Sequence, residues 1–76
     1  MAREETVEIV AEMVANVMTV AVAVGDRVEA GDTVMLLESM KMEIPVLTEK
    51  AGTVTAVRVA PGDVIQDGDP LVTLSV

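Results

Sequence analysis

The sequence predicts an all-β domain, an antiparallel sandwich or barrel of eight short strands built from two similar halves. Three observations carry this expectation. Sixteen of the 76 residues are Val, and β-branched side chains fit pleated, half-buried surfaces. Gly-Asp pairs punctuate the chain at 25–26, 31–32, 62–63 and 68–69. Gly supplies positive φ and Asp bonds its own backbone, so such pairs mark turns. The chain also repeats. A shift of 37 residues lays Gly25-Asp26 on Gly62-Asp63, Gly31-Asp32 on Gly68-Asp69, and Val17, Val20, Val22 and Ala23 on Val54, Val57, Val59 and Ala60. Two copies are too few for a solenoid, which needs about three repeats to bury a core. They read as the halves of one closed unit.

The turn signals place strands near 6–11, 16–24, 27–29, 33–38, 42–47, 53–60, 64–66 and 70–75. In the second strand Val20, Val22 and Val24 alternate while Val17 is one step out of phase, and Val54 stands in the same relation to Val57 and Val59. A bulge or bend is expected near Met18-Thr19 and Thr55-Ala56. In the last strand Thr73 and Ser75 share a polar face, so Val72 and Leu74 should point inward. The repeat then turns Met35 and Leu37 inward, and Leu36 and Glu38 outward. The second half matches Gly52 to Ala15, and Ala15 would be strained if that position required positive φ.

Composition bounds the function. The length suits one domain over 1–76, with a folded part of about 6–75. Apolar residues make up 51%, enough for a packed core. The absence of Cys removes disulfides and thiolate metal sites. There is no His, the commonest general acid–base residue, and no Cys nucleophile, so the chain reads as a non-enzyme. The four turn aspartates do not form a dense oxygen-ligand loop, so no metal site is expected. A net charge of −8 repels phosphate backbones, and no aromatic ring offers a base-stacking surface. No apolar run approaches the roughly 18–20 residues of a membrane span. Acidic residues precede the first apolar run, unlike a signal peptide, so the expected compartment is the cytoplasm.

Residues 34–47, Val-Met-Leu-Leu-Glu-Ser-Met-Lys-Met-Glu-Ile-Pro-Val-Leu, resist the simple pattern. Leu, Glu, Met and Lys are good helix formers, and Leu36, Leu37, Met40 and Ile44 supply a helical stripe. Against a helix stand the strand-like repeat copy Leu-Val-Thr-Leu-Ser and the restriction Pro45 places on its predecessor. As strands, 33–38 and 42–47 require a reversal at Ser39-Met40-Lys41-Met42 without Gly, Asn or Asp. Tight hairpins prefer positive φ, which is unfavourable for such residues. Poor turn chemistry at a tight turn marks a place where function overrides local preference. By the shift, this turn corresponds to the chain ends.

The segment Glu38-Ser39-Met40-Lys41-Met42, with Gly25-Asp26-Arg27-Val28-Glu29-Ala30-Gly31-Asp32-Thr33 upstream and Gly52-Thr53-Val54 and Pro61-Gly62-Asp63-Val64 downstream, resembles the biotinyl domains of biotin-dependent carboxylases, within the wider biotinyl/lipoyl carrier family. The resemblance covers about residues 9–75. It implies a flattened antiparallel sandwich of two four-stranded sheets with a quasi-two-fold axis, the barrel-sandwich hybrid. It implies that Lys41, at a hairpin tip, receives biotin through an amide formed by a biotin protein ligase. The biotin would shuttle carboxyl groups between biotin carboxylase and carboxyltransferase components. Met40 and Met42 match the residues flanking the family lysine and are candidates for recognition. They share strand parity and could cover one apolar patch. Glu38, Ser39 and Glu43 are candidate ligase contacts, though the simplest reading of the two glutamates is surface charge. The free domain is expected to be a monomer.

The sequence departs from the family pattern at Ser39, often Ala, at Val14-Ala15, commonly Pro-Gly, and at Thr48-Glu49, often Ala-Pro. No insertion lengthens the first half, so the protruding loop of some bacterial biotin domains is missing. Two other readings share the scaffold: a lipoyl carrier, which usually has Asp before and Ala after the lysine, and an unmodified interaction module.

Overall fold

The computed structural model describes residues 5–76; residues 1–4, part of the acidic start weighed above, lie outside the described residues. Eight strands follow: β1 (Thr6–Val10), β2 (Ala15–Val20), β3 (Arg27–Val28), β4 (Thr33–Ser39), β5 (Met42–Leu47), β6 (Gly52–Val57), β7 (Val64–Ile65) and β8 (Pro70–Ser75). They form two four-stranded sheets, ordered β1-β8-β6-β3 and β5-β4-β2-β7. Every pairing is antiparallel. This is the expected fold class.

The duplication is written into the ladders. β2 pairs with β4 through Val17 opposite Leu37 and Val20 opposite Met35. Moved on by the repeat, β6 pairs with β8 through Val54 opposite Leu74 and Val57 opposite Val72. The register breaks between Val17 and Thr19 and again between Val54 and Ala56, so Met18 and Thr55 are the bulge residues. In β4–β5, Ser39 stands opposite Met42. Its counterpart in β8–β1 is the pair 76 and 5, where the Val76 N–H donates to the Glu5 carbonyl at 2.9 Å. The hairpin apex and the chain ends thus hold equivalent places.

Two strands stop earlier than expected. The reading gave 16–24 and 53–60; the ladders end at Val20 and Val57. Beyond them the chain changes sheets. The Gly25 N–H donates to the Val54 carbonyl and the Val54 N–H to the Asp26 carbonyl, so the segment leaving β2 reaches the other sheet. The Gly62 N–H and Val17 N–H do the same for the segment leaving β6, bonding the Val17 and Asp63 carbonyls. These crossings tie the two sheets together and end the regular alternation.

All four Gly-Asp pairs close the same turn. Asp26, Asp32, Asp63 and Asp69 each donate a backbone N–H to the carbonyl three residues back at 3.0 Å. Each aspartate Oδ2 accepts the N–H of that same earlier residue at 2.9 Å. Glycine at the third position carries φ of 93–98°, the geometry of a type II turn.

The core contains Val17, Val28, Val34, Met35, Leu37, Val54, Ile65, Leu71, Val72 and Leu74, with Ala11 and Ala15. Met35, Leu37, Val72 and Leu74 face inward as expected. Val34 and Leu71 are also fully buried, beside Met35 and Val72. Register shifts at these positions against β5 and β1 let two consecutive side chains turn inward. Thr73 departs from its expected exposure and is only 8% accessible. It still lies on the polar side, where Arg58 donates to its hydroxyl at 3.3 Å and Glu8 accepts from it at 3.4 Å.

The concern about Ala15 is resolved by geometry. Neither Ala15 nor Gly52 has positive φ. Gly52 is required for a different reason: a Cβ there would sit 2.6 Å from the Ser75 carbonyl oxygen.

Candidate functional site

Only Met40 and Lys41 separate β4 from β5. Their φ angles are 53° and 63°, the two positive-φ non-glycine residues among those described. Positive φ at both central positions defines a type I′ turn, whose twist matches the flanking strands. The helical stripe of the isolated segment is overruled because β4 is an interior strand. It pairs with β2 on one side and β5 on the other, so Leu37 lies between Val17 and Ile44. A helix would forfeit both ladders.

The apex projects from the body. Met40 is 90% exposed and Met42 62%. Lys41 is exposed too. The ion pairs among the described residues join Arg27 to Glu29 at 3.5 Å and Arg58 to Glu8 at 3.8 Å, and neither involves Lys41. Its amine is therefore open to a macromolecule from several directions. The parity argument for a shared Met40–Met42 patch does not survive, because left-handed backbone at Met40 breaks the strand alternation. What the two methionines share is exposure.

The structure brings all six candidate residues onto one hairpin. Ser39 is half-buried opposite Met42. Glu38 and Glu43 are exposed and directly opposite each other, with Asn16 on the far side of Glu38. Among the described residues no group of three acidic, His or Cys side chains could hold a metal. The turn aspartates are instead engaged with backbone N–H groups.

Sequence reasoning did not find the groove of about 380 Å³ between the sheets, lined by Val7, Ile9, Met13, Ile44, Val46 and Leu47 among others. It exists because β1 and β5 are both edge strands on the same side of the sandwich, a fact of strand order. No local signal announces it.

Chemically, this arrangement can present an amine.

Comparison with known proteins agrees with the geometry. The biotin/lipoyl family described as "Biotin-requiring enzyme" matches residues 7–74. The biotinylated protein TB7.3 of Mycobacterium tuberculosis is 65% identical over 37 residues, 49% of this chain and 52% of that protein. The biotin/lipoyl attachment protein of Bacillus subtilis is 50% identical over 36 residues, 47% and 49% of the respective chains. These matches span about half the length of the curated relatives. Among solved structures, Kluyveromyces lactis urea carboxylase superposes with a TM-score of 0.86 at 31% identity, covering 97% of this chain and 6% of the carboxylase. A single-chain, multi-domain long-chain acyl-CoA carboxylase gives 0.86 and 31%, covering 92% and 7%. The chain belongs to the biotin/lipoyl attachment family.

Proposed function

We propose that Lys41 is the attachment point for biotin and that the loaded domain carries carboxyl groups between the active sites of a biotin-dependent carboxylase. The observation that carries this reading is the exposed lysine on a strained type I′ apex, flanked by two exposed methionines. A stability-driven hairpin would place Asn-Gly there. The relatives named for biotinylation and the carboxylases that share the fold support the choice of biotin over lipoate.

A lysine ammonium is a poor nucleophile at neutral pH. A biotin protein ligase supplies an activated biotin acyl group and accepts the proton from the amine. An amide forms between the biotin carboxyl carbon and Lys41 Nζ, and the activating group departs. Net charge moves from −8 to −9. Biotin itself supplies the ring nitrogen that is carboxylated. The domain holds the arm away from its own surface and raises its local concentration to about millimolar when docked.

The test is a streptavidin blot with mass spectrometry on protein from biotin-sufficient cells that express a biotin ligase. Wild type should gain about 226 Da, against about 188 Da for lipoate, as amide formation dictates. Lys41→Ala should lose the label while its far-UV circular dichroism is unchanged. A label that persists in Lys41→Ala, or a lipoyl mass, would overturn the assignment.

A further inference from the structure

β1 and β5 hold equivalent places in the two halves, and both are edge strands. The backbone polar groups of an antiparallel edge strand alternate between its one neighbour and open space. At the ends of β1, the Val76 N–H bonds the Glu5 carbonyl and the Ala11 N–H bonds the Asp69 carbonyl. Carried along the β1–β8 register, this turns the N–H and C=O of Val7 and Ile9 toward β8, and those of Thr6, Glu8 and Val10 outward. The repeat gives the outward groups of β5 to Glu43, Pro45 and Leu47. Pro45 and Glu8 are therefore the same position in the two halves. Proline has no N–H, so the β5 edge lacks a donor at its centre. The β1 edge keeps its complete set.

Side chains alternate along β1 as well. Val7 and Ile9 are half-buried and border the groove of about 380 Å³, with Ile44 and Val46 across it. Thr6, Glu8 and Val10 are exposed. A strand laid beside β1 would thus send the side chains opposite Val7 and Ile9 into an apolar groove, and those between them to the outer face. The charge nearby is mostly negative: Glu8, Glu12 and Glu49 line the groove, against Lys50 alone. A second copy of this chain is a poor occupant. Pairing two β1 edges through all three outward residues sets Glu8 opposite Glu8, between chains of net charge −8. Like charges directly opposite across strands are destabilising.

We propose that the β1 edge is a strand-addition site for an extended, basic segment of a partner protein. That segment carries apolar residues, best β-branched, at alternate positions and lysine or arginine at the positions between. Its backbone completes the hydrogen bonds of Thr6, Glu8 and Val10, which gives affinity, and its apolar side chains fill the groove, which fixes the register. A basic side chain falls opposite Glu8. That carboxylate already meets Arg58 at 3.8 Å, yet half of its side chain stays exposed. Glu8 therefore has two effects: it opposes self-association of the edge and selects a cationic partner. The site lies on the sheet that does not carry Lys41 and needs no modification of that residue.

The experiment titrates the isotopically labelled chain, followed by amide NMR, with a capped peptide of alternating valine and lysine, about six residues long to match β1. Shifts should concentrate at Thr6–Val10 and, across the groove, at Ile44 and Val46. The Thr6, Glu8 and Val10 amides should gain protection from hydrogen exchange. Glu8→Pro copies the guard of β5 onto β1 and removes no internal hydrogen bond, so it should fold and bind the peptide about tenfold more weakly. Methylating the peptide's lysine nitrogens, whose N–H groups would join β1, should weaken binding as much, and methylating its valine nitrogens should not. Glu43→Lys, a charge reversal on the other edge, should leave affinity within about twofold at moderate salt. Undiminished affinity for the lysine-methylated peptide would overturn the proposal, even if Glu8→Pro fails to fold. Shifts scattered over the acidic turns would also overturn it, by assigning binding to net charge alone. Protection of the β1 amides that rises with protein concentration in the absence of peptide would overturn it too, by giving the edge to a second copy.

Discussion

Replacing Met40-Lys41 by Asn-Gly should stabilise the domain while removing the lysine proposed as the attachment point. Both native residues hold left-handed φ, at 53° and 63°. That conformation is unfavourable by roughly 1–2 kcal/mol for an L-residue with a Cβ. Asn tolerates it and Gly meets no penalty, so the relief over two positions is about 2–3 kcal/mol. Gly gives back about 0.5–1 kcal/mol through the greater freedom of the unfolded chain. Side-chain burial contributes almost nothing, because Met40 is 90% exposed and Lys41 is exposed. The net gain is about 1–2 kcal/mol, with Tm rising about 4–8 °C for each kcal/mol in a domain of this size. The assay is a thermal melt followed by far-UV circular dichroism, since the chain has no aromatic residue for fluorescence. Met40→Asn alone should raise Tm by part of that amount and keep Lys41. Lys41→Val, which forces a β-branched residue into left-handed backbone, should lower it. A double variant no more stable than wild type would refute the claim that the apex stores strain.

Three other outcomes follow from the same geometry. Gly52→Ala should destabilise by about 1–3 kcal/mol, because its Cβ would meet the Ser75 carbonyl oxygen at 2.6 Å, and Ala15→Gly at the equivalent position should lose no more than about 1 kcal/mol; urea titration measures both. Leu74→Ala, at a fully buried position in the interior strand β8, should lose about 2–5 kcal/mol and leave little folded protein at 37 °C, as seen by circular dichroism. Arg58→Ala breaks an ion pair whose side chains are 49% and 50% exposed, so its effect should be within about 1 kcal/mol and should shrink further in high salt.

The duplication, the four Gly-Asp turns and the lysine were legible because each is a local or periodic signal. Type II turns need Gly at one position and gain from Asp at the next, and a repeat needs only a shift to detect. The bulges at Met18 and Thr55 were legible for the same reason, since a broken alternation is itself a pattern. The ends of β2 and β6 were not. Val22 and Val59 continue to look like strand residues after the chain has left its sheet, because both still pack against the core.

By itself, the sequence determined an all-β chain of two equivalent halves, with turns at fixed places and one lysine set where no turn former stands. Tertiary structure decided the rest. It chose strand over helix for Met35–Ile44, because β4 gains two ladders that a helix of the same residues would lack. It buried Thr73 under Arg58 and Glu8, brought β1 and β5 to the edges of one groove, and showed that Gly52 answers to a carbonyl more than twenty residues away. Those outcomes depend on which strands become neighbours. Spatial adjacency of this kind arises only when the two halves close on each other.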